Sequence, residues 1–231
     1  MIRKGLLLSL VPLAVIGGLA AWGYASTEPG VLLPVHWGLD GEPDRFGSRE
    51  EAFLGLPAVA AGLTLLMAVL PYLDPRGTNL RRSEQAYLTA WIGSLSLLAL
   101  VQAGLTMTAL GVWEADANSP FHRLLTAGIG LFIAAIGNVL GKARPNWVFG
   151  VRTPWTLSSD LTWERTHRWT GRLFVLVGLA GVVAAFVLPP PASLLALVGG
   201  LIAAGVWSSV YSYLVWRNAP DKRTGPQAVD P

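Results

Sequence analysis

Acid–base and metal chemistry draw on histidine, cysteine and clustered carboxylates, and this chain has three histidines and no cysteine. The lack of cysteine excludes disulfides, thiolate metal sites and thiol catalysis together. His36 stands near Asp40, Glu42 and Asp44 in the stretch STEPGVLLPVHWGLDGEPDRFGSREE. These are metal-ligating types, but one histidine among irregularly spaced carboxylates lacks a recognisable ligand pattern, and His122 lies in a separate loop. No metal and no cofactor is therefore expected. The chain has no HExxH, no GxSxG and no glycine-rich phosphate loop. Without a nucleophile paired to a base, it does not read as an enzyme.

The same stretch is rich in turn formers. Pro34, Gly38, Gly41, Pro43 and Gly47 punctuate it, and Asp40-Gly41 is a tight-turn pair. The expectation is a folded cap held by these turns and by the aromatics Trp37 and Phe46.

The second informative segment reads KARPNWVFGVRTPWTLSSDLTWERTHRWTGR, from Lys142 to Arg172. Pro145 and Pro154 interrupt helix and Gly150 permits a turn. Ser158 or Ser159 suits an N-cap, with Asp160 favoured in the first turn by the helix dipole. A helix starting there puts Trp163, His167 and Gly171 on one face at i, i+4 and i+8. It either lies along the membrane surface or leads into the next apolar segment. Arg165, Arg168 and Arg172 would meet anionic headgroups, each worth ~1 kcal/mol. Asn146, Arg152, Thr153, Thr156 and Thr166 add polar side chains that a plain spacer does not require.

The elements that hold these segments follow from composition. Of 231 residues, 52% are hydrophobic and 13% are charged, against roughly 25% charged in soluble domains. Lipid must solvate much of the surface. Six stretches are long and apolar enough to span about 30 Å of hydrocarbon: 6–25, 53–73, 87–112, 124–140, 173–188 and 194–215. The fold class is therefore all-α: a polytopic membrane protein of six helices with a structured extracellular loop and a long cytoplasmic motif loop. A cleaved signal peptide is the competing account of the first stretch, but its length and the interfacial pair Trp22 and Tyr24 favour a retained helix.

Lys and Arg orient the chain. With both ends inside, fourteen of the seventeen basic residues fall on the cytoplasmic side: Arg3, Lys4, Arg76, Arg81, Arg82, Lys142, Arg144, Arg152, Arg165, Arg168, Arg172, Arg217, Lys222 and Arg223. Only Arg45, Arg49 and Arg123 fall outside, beside Glu28, Asp40, Glu42, Asp44, Glu50, Glu51, Glu114 and Asp116. The high pI thus reflects membrane topology, and no nucleic-acid partner is expected. Within the bilayer the polar candidates are Gln102 and Asn138, with hydroxyls at Thr64, Thr106 and Thr108. Neutral amides more often bond between helices than line a path.

The run from Pro145 to Gly171 resembles the signature of the SdpI family. It carries Pro145, Asn146, Gly150, Arg152, Thr153, Pro154, Trp155, Thr156, Leu157, Trp163, Thr166, His167 and Gly171 in family order. The earlier segments LPVHWGLDGEPDRFGS and LPYLDPRGTN resemble a domain of unknown function that often precedes it. Pro34, His36, Gly41, Pro43, Asp44, Asp74, Pro75, Arg76 and Asn79 carry that likeness. The chain is expected to divide into a two-helix region with its cap loop (1–84), a third helix and outer loop (85–120), an SdpI-like region (121–216) and, outside the resemblance, a polar tail with three prolines that is expected to be disordered (217–231).

The family takes its name from a bacterial immunity protein that protects its producer from a secreted toxic peptide and sequesters a repressor. The resemblance implies a multi-pass protein of the bacterial cytoplasmic membrane that gives immunity or signals without catalysis. Its expected partners are membrane lipids, a cationic toxin peptide outside and a repressor protein inside. The alternative is a small-solute or lipid transporter.

Overall fold

The computed structural model describes residues 1–73 and 77–222. Each apolar stretch is a helix: α1 (Ile2–Ser26), α2 (Arg49–Leu73), α4 (Glu84–Ala109), α5 (Pro120–Leu140), α7 (Asp160–Val187) and α8 (Pro190–Trp216). All six are long and apolar enough to cross a membrane. Two short helices, α3 (Gly77–Arg82) and α6 (Pro154–Leu157), lie in the connections. Asp74, Pro75 and Arg76, on which part of the resemblance rests, fall outside the described residues.

Large apolar side chains point away from the bundle. Val11 is 70% exposed, Leu65 67% and Ile202 62%. In water such a surface would drive association; around a helical bundle it is the face that lipid covers.

The helices form two groups of three. In one, α1 packs on α2 and α4; in the other, α7 packs between α5 and α8; the groups meet where α4 packs on α5. The first group closes on large buried side chains, Ile16, Tyr87, Trp91 and Leu95. The second uses small ones. Gly130 and Gly137 lie seven residues apart on α5, as do Gly171 and Gly178 on α7. A Cβ at Gly137 would sit 2.6 Å from the Gly171 carbonyl, and one at Gly178 would sit 2.4 Å from the Gly130 carbonyl. Lipid tails are as apolar as leucine, so close backbone approach rather than water exclusion drives this contact.

The loop between α1 and α2 folds as an antiparallel hairpin, β1 (Leu33–Trp37) and β2 (Pro43–Gly47), with Leu33 opposite Gly47 and Trp37 opposite Pro43. The all-α description thus holds for the membrane-spanning part, and the expected cap is a β-hairpin. Gly41 turns it at φ +85°, and Gly38 donates its N–H to the Glu42 carbonyl at 2.9 Å. Trp37 docks the hairpin on the start of α5, 5.3 Å from the Phe121 ring. Phe46 does not help hold it: the side chain is 54% exposed, on the strand face turned away from the bundle. Leu33 does so instead, buried with Ala20, Ala52 and Phe53.

Two arginines finish helices at this hairpin end. Arg49 donates to the Thr27 carbonyl at 3.0 Å, beyond the end of α1. Arg123 donates to the carbonyls of Ala185 at 3.1 Å and Leu188 at 3.3 Å, at the end of α7. The last carbonyls of a helix have no partner within it, and an arginine on the neighbouring helix satisfies them here.

The opposite end carries the N-terminus, α3, residues 141–159 and the segment after α8. The first six residues of the expected disordered tail fold back on the bundle. Ala219 is buried, and Asp221 accepts from the Ser159 hydroxyl at 2.7 Å and the Leu161 N–H at 3.0 Å. Burial opposes ionisation of Asp221, but these hydrogen bonds outweigh it and hold the carboxyl below its ordinary value. Residues 223–231 lie outside the described residues.

Candidate functional site

The segment between α5 and α7 folds around three buried side chains that the sequence singles out. Asn146 is fully buried. Its Oδ1 accepts from the N–H groups of Val148 at 2.8 Å and Phe149 at 2.9 Å, and its Nδ2 donates to the Arg144 carbonyl at 2.9 Å. This is an Asx-type turn closed from both sides of one amide. Asn79 of α3 ties it to the first helix group by donating to the Pro145 carbonyl at 3.0 Å.

His167 is the second centre. Its Nδ1 lies 2.8 Å from the Trp163 carbonyl, and its Nε2 is 3.0 Å from the Val151 N–H. A carbonyl needs a donor and an N–H needs an acceptor, so the ring is neutral with its proton on Nδ1. Trp163 stacks on it at 3.9 Å and donates its indole N–H to the Ala143 carbonyl at 2.8 Å. Gly150 must pass directly over this ring. It has φ +111°, and a Cβ there would lie 2.2 Å from His167 Nε2.

Thr156 is the third. Thr153 N-caps α6, and the two threonines form a reciprocal capping box, with Pro154 at the first helical position. Thr156 also donates to the Val151 carbonyl at 2.7 Å, while the Thr153 and Ser212 hydroxyls meet at 3.0 Å. Trp155 packs on Tyr213 of α8 at 5.3 Å. Ser159, rather than Ser158, caps α7 by accepting from the Thr162 N–H at 3.0 Å. The helix leads into the membrane instead of lying along its surface, and Trp163, His167 and Gly171 share its buried face.

Arg152 remains on the surface and donates to the Trp147 carbonyl. Thr166 is fully buried, and its hydroxyl has no partner among the described residues. Beneath the loop lies an apolar cavity of about 200 Å³ between α4, α5 and α7, bordered by Ala90, Ile136, Phe149, Gly150 and Phe174.

The motif residues therefore come together as one folded closure of the bundle end. Its interior polar atoms are directed mainly onto backbone and one another, an arrangement that fixes shape. Residues the sequence reading passed over complete it: Gly137 opposite Gly171, Ser83 accepting from the Arg144 N–H at 2.9 Å, and Asp221. The seven-residue glycine spacing was visible in the sequence, whereas the Ser83 and Asp221 contacts had no local signal.

The hairpin residues form a separate site at the other end. His36 and Asp44 pair at 2.6 Å. Asp40 accepts from the Glu42 N–H at 3.1 Å within its own turn, and Glu42 accepts from the Ala117 N–H at 3.4 Å. A Cβ on Gly41 would lie 2.9 Å from Ala117 Cα, so the hairpin tip sits on the α4–α5 connection. Pro34 and Pro43 belong to the two strands. Among the described residues, no three His, Asp or Glu side chains converge as metal ligands.

The membrane amides do not meet. Gln102 is fully buried and reaches the Thr106 hydroxyl at 3.4 Å, which in turn donates to the Leu19 carbonyl of α1 at 3.3 Å. Asn138 is on the exposed face of α5, two residues from its end. It faces the surroundings and not the interior, because Gly137 and Val139 take the inward positions.

Comparison with known proteins bears on both ends of the molecule. Residues 142–212 match the SdpI/YfhL protein family, and residues 10–61 match a domain of unknown function, DUF1648. The chain is similar to Immunity protein SdpI of Bacillus subtilis (strain 168), with 23% identity over 157 residues, 67% of this chain and 69% of that protein. No solved structure matches it. The resemblance read from the motif residues is thus shown. The six apolar helices and this similarity identify a multi-pass protein of the cell membrane.

Proposed function

We propose that this protein, whose second helix group carries the SdpI/YfhL region, gives its cell immunity to a secreted membrane-active peptide or senses one. The observation that supports this best is the motif segment itself: a fixed, sealed bundle end rather than an opening or a reactive centre. Its outward side offers Arg144, Trp147 and Arg152, a basic and aromatic surface suited to a cytoplasmic protein partner such as a regulator. The hairpin end is acidic, and capture of a cationic peptide there would act mainly on encounter. The Lys and Arg distribution supports an orientation with the hairpin outside and the motif segment in the cytoplasm.

A transporter is the weaker account. It needs polar groups in register across the bilayer, yet Gln102 bonds within the α1–α4 pair and Asn138 faces away from the bundle.

The carboxylates to perturb are Glu28 and Glu114, which are exposed; Asp40, Glu42 and Asp44 also shape the hairpin. A deletion strain is challenged with a panel of cationic amphipathic peptides and complemented with wild type or Glu28→Gln/Glu114→Gln. Hypersensitivity rescued by wild type supports immunity. A slower peptide on-rate in the variant, with a flatter salt dependence, supports electrostatic capture. Equal sensitivity of deletion and wild-type strains to every peptide would remove the proposal.

A further inference from the structure

Arg165, Arg168 and Arg172 form a stripe on the exposed side of α7, opposite the stripe that carries Trp163, His167 and Gly171. They border an open groove of about 480 Å³ along α7, completed by Leu161, Glu164 and Trp169 of the same helix and Tyr211 of α8. Trp169 and Tyr211 stack at 5.9 Å, joining the two helices across the groove. Glu164 pairs with Arg168. Arg165 and Arg172 have no carboxylate partner among the described residues. The groove therefore carries a net positive charge that nothing within the described chain neutralises.

Its depth is set by the helix. The apolar run of α7 begins at Leu173, next to Arg172. Arg165 is seven residues earlier, roughly 10 Å along the axis at 1.5 Å per residue. The stripe thus begins at the hydrocarbon boundary and extends through the headgroup layer. A flat aromatic pair at that level suits the glycerol and upper acyl region, and guanidinium groups suit phosphate.

We propose that this groove is a specific site for the headgroup of an anionic phospholipid. The same phosphate chemistry could come from a soluble phosphate ester, so the test separates the two. Basic pockets between transmembrane helices at the headgroup level are suited to such lipids, and this one is built by exposed residues of α7 with Tyr211 of α8.

Full-length protein in a neutral detergent is titrated with phosphatidylglycerol and, separately, with phosphatidylcholine, and bound lipid is counted by native mass spectrometry. Each unpaired arginine should contribute about fivefold, so phosphatidylglycerol should bind about 25-fold more tightly. Arg165→Gln/Arg172→Gln should abolish that preference, and Arg172→Gln alone should reduce it about fivefold, which keeps the test open if the double variant misfolds. Arg3→Gln, at the same end but outside the groove, should leave it unchanged. An equal loss in Arg3→Gln would mean diffuse attraction to headgroups and overturn the site. Displacement of phosphatidylglycerol by an equal concentration of glycerol phosphate would assign the groove to a soluble phosphate and overturn the lipid.

Discussion

Gly150 and His167 are packed so closely that their energies should be coupled, and a double-mutant cycle can measure this. In Gly150→Ala the new methyl would sit 2.2 Å from His167 Nε2. The ring cannot swing away without losing its stack on Trp163 and both of its hydrogen bonds. Overpacking of this kind costs about 1–3 kcal/mol. The backbone at φ +111° adds about 1–3 kcal/mol for a residue with a Cβ. His167→Ala removes the clash and leaves the Val151 N–H without its acceptor, a loss of about 1–3 kcal/mol before any cavity term. In the double variant the overpacking disappears and the backbone strain remains. Its destabilisation should therefore fall short of the sum of the singles by the overpacking cost, about 1–3 kcal/mol. Unfolding of purified protein in a mild detergent, followed by tryptophan fluorescence, gives the three values. Additivity within about 0.5 kcal/mol would show that the two sites do not touch as described, and the account of the motif segment would fail.

Three further outcomes are expected. Arg123→Gln should lower stability by about 1.5–3 kcal/mol, because charge-assisted bonds to the end of α7 are lost; a thermal melt within 1 °C of wild type would contradict the capping role. Gly137→Ala should destabilise by about 1–3 kcal/mol because its methyl meets backbone. Gly17→Ala and Gly199→Ala, where a Cβ meets nothing within 4 Å, should be neutral or slightly stabilising by helix propensity, and equal effects at all three sites would disprove glycine-mediated α5–α7 packing. For sidedness, cysteine at Glu28 should react with an impermeant maleimide in intact cells and cysteine at Asn218 should not, and the reverse pattern would invert the assigned orientation.

The six helices were legible in the sequence because the signal is compositional. About 20 apolar residues in a row have few alternatives to spanning a bilayer, and all six stretches from 6–25 to 194–215 lie largely within the helices observed. The face pairing of Trp163, His167 and Gly171 was legible for a related reason: helical periodicity is fixed by backbone geometry. Boundaries were less so. Helix α7 begins at Asp160, well before its apolar run, because the Ser159 cap and tertiary burial of Thr162, Trp163 and Thr166 extend it beyond hydropathy.

What a residue touches across the molecule was not in the sequence. Asn138 and Gln102 look equivalent as lone amides in apolar helices, yet the packing of α5 turns one outward and that of α4 buries the other. Phe46 and Leu33 are both apolar hairpin residues, and only strand register decides that Leu33 meets Phe53 while Phe46 faces away. Nothing local in the sequence orders Asp221; the Leu161 N–H at the start of α7, which has no partner within its own helix, does. Local composition and period fix where helices form, since those depend on neighbours in the chain. Contacts such as Gly150 over His167 depend on partners brought together only when the bundle closes, and the tertiary structure alone decided them.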